Sequence, residues 1–248
     1  MSGHSKWHTI KHKKGALDAK RGKLFTKIIK ELTVAARMGG GDPEMNPRLR
    51  TVILKAKAAN MPKDNIARAI KKGTGNLDGA EYVELQYEAY APGGVGLIID
   101  TLTDNKNRTA SNVKSVLTKN GGQLAAQGSV SYQFKRKGII TYETENIDFD
   151  TLFETALEAG AEDVSDEGGI VEVSTEPGDF ANVLESLQEA GFDQLGAEIL
   201  MVSDTNVELD NEKTTRVLNL IEKIEDDDDV QSVASNMTIP EKFEMVND

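Results

Sequence analysis

The chain has 248 residues, contains no cysteine, and is 38% apolar and 28% charged, which is enough for two or three ordinary cores. The missing cysteine excludes a disulfide framework, thiolate metal sites and cysteine nucleophiles. No apolar run approaches the roughly 18 residues of a spanning helix, and the start MSGHSKWHTIKHKKG lacks the apolar stretch of a secretory signal, so a cytoplasmic protein without membrane contact is expected.

The formal net charge of −12 argues against a polyanionic partner only on average. Residues 1–75 carry eighteen Lys and Arg against five Asp and Glu, residues 76–137 seven against six, and residues 138–248 four against thirty. Such asymmetry points to a nucleic-acid partner for the basic end, and to solvent or a basic protein for the acidic end.

The chain opens on a basic arm in which Lys6, Lys11, Lys13 and Lys14 surround Trp7, a pattern suited to phosphate contact with one aromatic ring available to stack on a base. His4, His8 and His12 are spaced by four, but no carboxylate accompanies them and the neighbouring lysines repel a cation, so no metal site is expected. From residue 17, Leu24, Phe25, Ile28, Ile29, Leu32, Ala35 and Ala36 recur at helical spacing until Gly39-Gly40-Gly41 ends the run. Lys20, Lys23, Lys27, Lys30 and Arg37 fall on the opposite face within about 100°, and Arg21 belongs to the same tract. A second helix is predicted from Asn46-Pro47, with Asn as cap, Arg48 and Arg50 outward and Leu49, Val52, Ile53 and Ala56 inward. A third runs from Pro62 to Lys72 and buries Ile66, Ala69 and Ile70 before Gly73-Thr74-Gly75 stops it. Lys55, Lys57, Lys63, Arg68, Lys71 and Lys72 continue the positive sign.

After Gly75 short apolar runs divided by Gly and Asn read as α+β. Strands are predicted near 82–90, 95–103 and 129–135 around a helix at 107–119. Then come strand 138–143, helix 149–159, strands 162–165 and 169–174, helix 179–190 and strand 195–202, followed by helix 211–225 and strand 230–235. The block 138–203 spells β-α-β-β-α-β, the ferredoxin-like order. The expected architecture therefore has three domains: a basic arm plus helical domain at 1–75, a middle α/β domain from 76–137 and 204–248, and an acidic ferredoxin-like domain at 138–203 inserted into it.

Asp104-Asn105-Lys106-Asn107-Arg108-Thr109 sits where a strand hands over to a helix. It reads either as a phosphate held at a helix N-terminus with Lys106 and Arg108, or as a helix cap made by Asn105 or Asn107. Ala91-Pro92-Gly93-Gly94-Val95-Gly96 leads into an apolar run with no Gly-Lys-Ser/Thr, and so reads as a turn between strands rather than a nucleotide loop. The carboxylates of 138–248, Asp226-Asp227-Asp228-Asp229 among them, read as solvated surface. No nucleophile, cofactor loop or metal cluster emerges, so neither an enzyme nor a cofactor is expected.

Gly3-His4-Ser5-Lys6-Trp7, Asp18-Ala19-Lys20-Arg21-Gly22-Lys23, Gly39-Gly40-Gly41-Asp42-Pro43, Asn46-Pro47-Arg48-Leu49-Arg50, Tyr90-Ala91-Pro92-Gly93-Gly94 and Asp104–Thr109 closely resemble the YebC family, as does Gly128-Ser129-Val130 with Phe134. The resemblance implies a helical N-terminal domain followed by two α/β domains, and a DNA-binding transcriptional regulator. It also implies a rival, since mitochondrial relatives are translational activators and bacterial members are linked to the ribosome, so that ribosomal RNA stands beside duplex DNA as target. The resemblance supplies no base-reading residues.

Overall fold

The structure is a computed structural model, and it describes residues 17–75, 82–167, 169–240 and 243. Three helices come first: α1 (Leu17–Gly39), α2 (Pro47–Ala58) and α3 (Lys63–Thr74). They enclose a core of their own, in which Ile28, Leu32, Ala35 and Ala36 of α1 meet Leu49, Val52, Ala56, Ile66 and Ala69. The glycine stop of α1 and the Asn46 cap of α2 act as expected. The Gly40 amide, at φ +87°, closes α1 on Ala36 O. The Asn46 side chain accepts from the Leu49 amide at 3.0 Å while donating to Ala35 O and Gly40 O, so a single residue starts α2 and ties it to the end of α1. Gly73, read as a stop, lies inside α3 instead. A Cβ there would stand 2.3 Å from Thr33 O, so glycine is what lets α3 lie against α1.

The chain then forms β1 (Val83–Ala91), β2 (Val95–Thr103), α4 (Lys106–Lys119) and β3 (Gln123–Leu124). A turn through Pro92–Gly94, with both glycines at positive φ, joins the first two strands as an antiparallel hairpin. Next come β4 (Phe134–Glu143), α5 (Phe149–Ala159), β5 (Asp163–Glu167), β6 (Ile170–Thr175), α6 (Phe180–Glu189) and β7 (Gly196–Ser203). The chain finishes with β8 (Val207–Glu208), α7 (Asn211–Glu225), β9 (Val230–Ser235) and β10 (Met237–Thr238).

Eight strands make two four-stranded sheets, ordered β3-β1-β2-β9 and β5-β6-β4-β7, the second having the split βαβ order read from the sequence, while β8 and β10 pair in parallel. The fold is α+β, with a helical region followed by sheet-containing units. In the first sheet β2 is buried on both faces. Leu97 and Ile99 pack with α4 and α7, while Ile98 faces Val130, Phe134 and Ala234, which is why residues 97–99 are continuously apolar rather than alternating.

The strand expected near 129–135 does not form as such. The Glu88 carboxylate accepts the amides of Gly128 and Val130 at 2.6 Å and Ser131 at 3.0 Å, so donors that a strand would place in a ladder cap a side chain instead. Residues 131–133 make a short 3-10 turn, and β4 then runs unbroken across the expected boundary between 137 and 138, pairing with β7 from Phe134 onward. Among the described residues no helix is long and apolar enough to cross a membrane.

Candidate nucleic-acid interface

The cationic face of α1 is real but is not open in this arrangement. Lys23, Lys27 and Lys30 lie against the C-terminal end of α7 and the acidic run that follows it. Lys23 Nζ reaches Asp226 Oδ1 at 3.0 Å and Asp226 O at 3.2 Å. Lys27 Nζ donates to Glu225 O at 2.6 Å. Lys30 Nζ donates to Asp228 O at 2.9 Å and Asp229 Oδ1 at 3.2 Å, and stands 5.9 Å from the centre of the Tyr82 ring. Unpaired carbonyls at a helix C-terminus carry partial negative charge, so this is a favourable place for ammonium groups. The expectation of Asp226–Asp229 as simple solvated surface is corrected accordingly. One signal for this was present in the sequence. Four aspartates directly after a helix have the wrong sign for its dipole, a conflict that cations from elsewhere relieve.

Asp229 is the centre of the contact. It is 3% exposed and accepts from Arg108 Nη2 at 2.6 Å and Nε at 3.1 Å, from Thr109 Oγ1 at 3.0 Å and from Thr103 Oγ1 at 3.2 Å, besides Lys30. Burial works to raise its pKa, but the bonds from Arg108, Lys30 and Thr109 prevail and hold it below the usual aspartate value. The Arg108 guanidinium is stabilised in turn by Asp229 and by Asp104 at 2.8 Å. Asn105 caps α4 by accepting the Arg108 amide at 3.0 Å, the cap read from the sequence, and Arg108 is turned onto the Asp229 carboxylate. Lys23, Lys30, Arg108, Asn112 and Asp226–Asp229 line a cleft of about 460 Å³.

The remaining expected residues divide between paired and open. Arg48 is paired with Glu84 of β1, and Lys55 bonds Glu31 at 3.3 Å, whose charge is the main cause of a raised lysine pKa. Arg50 is half-buried and Lys106 exposed, and neither makes an ion pair among the described residues. Lys6, Trp7, Lys11, Lys13 and Lys14 lie outside the described residues; Lys20 and Arg21 stand near the start of α1, with side chains also outside them.

An open cationic surface does exist, on α3. With Ile66, Ala69 and Gly73 turned to the core, the opposite face at 100° per residue carries Arg68, Lys71 and Lys72. All three are exposed and unpaired with any carboxylate among the described residues, as are Lys57 and Lys63. Arg68 bonds the Asn65 side chain, in contact with its own helix.

Comparison with known proteins accounts for nearly the whole chain. A family described as the TACO1/YebC protein N-terminal domain matches residues 5–76, and one described as the TACO1/YebC second and third domain matches residues 82–237. A relative from Treponema denticola named as a probable transcriptional regulatory protein is 61% identical over 245 residues, 99% of each chain. One of the same name from Geotalea uraniireducens is 55% identical and covers 98% of each. The crystal structure of a conserved hypothetical protein from Aquifex aeolicus superposes with a TM-score of 0.80 at 47% identity, covering 90% of this chain and 92% of that one.

Proposed function

The chain belongs to the TACO1/YebC family, and from that premise we propose that it is a nucleic-acid-binding regulator that grips phosphate through its helical region and acts on transcription by binding duplex DNA. The observation that carries the reading is the outer face of α3. In a protein of net charge −12, Arg68, Lys71 and Lys72 stand exposed without a carboxylate partner among the described residues, three cations to the one exposed acid, Asp64, in the first turn of that face. The basic arm with Trp7 and the exposed Lys57 and Lys63 extend the same sign.

A second reading, ribosomal RNA as the target, is favoured by what α3 lacks. Its outer face offers long cations, the exposed Asp64 carboxylate in the first turn and, in Asn65, one amide already bonded by Arg68. Such a face holds a backbone but has little with which to read base edges.

The test is fluorescence anisotropy with a labelled random 25-base-pair duplex and a ribosomal RNA hairpin between 50 and 200 mM salt. Arg68→Glu/Lys71→Glu/Lys72→Glu should weaken binding and reduce the slope of log K against log salt by about three. Wild-type affinity and slope in that variant would refute the assignment to α3. Preference for the hairpin at matched salt would favour the second reading.

A further inference from the structure

We propose that Asp226–Asp229 and the C-terminal carbonyls of α7 act as an intramolecular stand-in for phosphate, masking a second polyanion-binding face on α1 that opens when nucleic acid displaces them. The proposal rests on the reading of the helical region as a nucleic-acid binder, and concerns how that surface is regulated.

Three features of the contact support it. It is chemically the contact that a phosphate backbone would make: Lys23, Lys27 and Lys30 are spaced at four and three along one helix, and each donates its ammonium to carboxylate or carbonyl oxygen. It is also held by polar bonds rather than by a shared apolar core. Among the described residues, the buried side chains of the helical region form a cluster of their own, and only the partly buried Leu54 packs against the core of the second sheet. A unit that keeps its own core can shift as a body.

Release, finally, leaves no buried charge stranded. Asp229 keeps Arg108, Thr103 and Thr109 when Lys30 departs, and Asp226, the partner of Lys23, is more than half exposed. Arg108 thus neutralises Asp229 in both states, and the lysines are the part that exchanges.

The test compares Asp226→Asn/Asp228→Asn with Glu154→Gln/Glu158→Gln, which removes the same charge from the exposed face of α5, using the labelled random duplex. Removing the Asp226 partner of Lys23 and the Asp228 charge beside it should tighten binding about tenfold, while the control pair changes affinity little. Equal effects of the two pairs would assign the gain to long-range charge and overturn the mask. An unchanged affinity would overturn it while leaving the α3 reading intact, whereas no binding by any form, wild type included, would remove both.

Because the chain has no cysteine, dyes placed at Glu44→Cys and Glu212→Cys report the movement directly. Transfer efficiency should change on adding duplex, and a constant efficiency at saturation overturns the opening.

Discussion

Replacing Asp229 by alanine removes the acceptor of five side-chain hydrogen bonds, two from Arg108 and one each from Lys30, Thr103 and Thr109. Breaking a fully buried ion pair costs about 3–5 kcal/mol, but the perturbation here is cushioned. Arg108 retains Asp104 and Lys30 retains Asp228 O, and the two fully buried threonine hydroxyls still bond each other at 2.8 Å. What is lost is the charge-assisted part, worth about 2–3 kcal/mol in total once those substitutes are allowed for. Asp229→Asn keeps one acceptor and the shape, and should lose about half as much. Urea titration followed by circular dichroism, with the midpoint read at constant m, measures both. An alanine variant within about 0.5 kcal/mol of wild type would refute Asp229 as the organising centre, since that is the range of an unremarkable surface change.

Glu88 gives the pH-dependent counterpart. Burial disfavours its charge, but the Gly128, Val130 and Ser131 amides outweigh that and hold its pKa below the usual glutamate value. Its contribution is therefore present above the unfolded-state pKa and is lost as pH falls through the lower folded value. Glu88→Gln should cost about 1–2 kcal/mol at neutral pH, and its gap from wild type should narrow in acid; urea titrations at both pH values check this, and a gap independent of pH would count against the cap. Gly73→Ala places a Cβ 2.3 Å from Thr33 O and should destabilise the helical region by about 1–3 kcal/mol, despite alanine being the better helix former. A raised melting temperature in that variant would contradict the close packing of α3 on α1.

Much of the fold was legible because its signals are local. The Asn46-Pro47 start of α2, the Gly39–Gly41 stop of α1 and the β-α-β-β-α-β order of the second sheet each depend on a few neighbouring residues whose backbone preferences agree with the final structure. The reading slipped at 129–135 because a β-rich segment was captured by the Glu88 carboxylate from some forty residues earlier, and no local pattern records that. Gly73 misled for a related reason, since its freedom from a side chain serves a neighbouring helix rather than a turn.

By itself, then, the sequence determined the kinds of element, their order, and the amount and sign of charge carried by each stretch. Only the tertiary structure decided which charges remain available. Lys30 and Asp229 are 199 positions apart, and whether a lysine on an amphipathic helix meets solvent, phosphate or a carboxylate depends on what the completed fold sets opposite it. Periodicity fixes the direction in which a side chain points; electrostatic availability depends on distance in space, and the basic stripe of α1 and the bare face of α3 look alike until the acidic end of α7 is put in place against one of them.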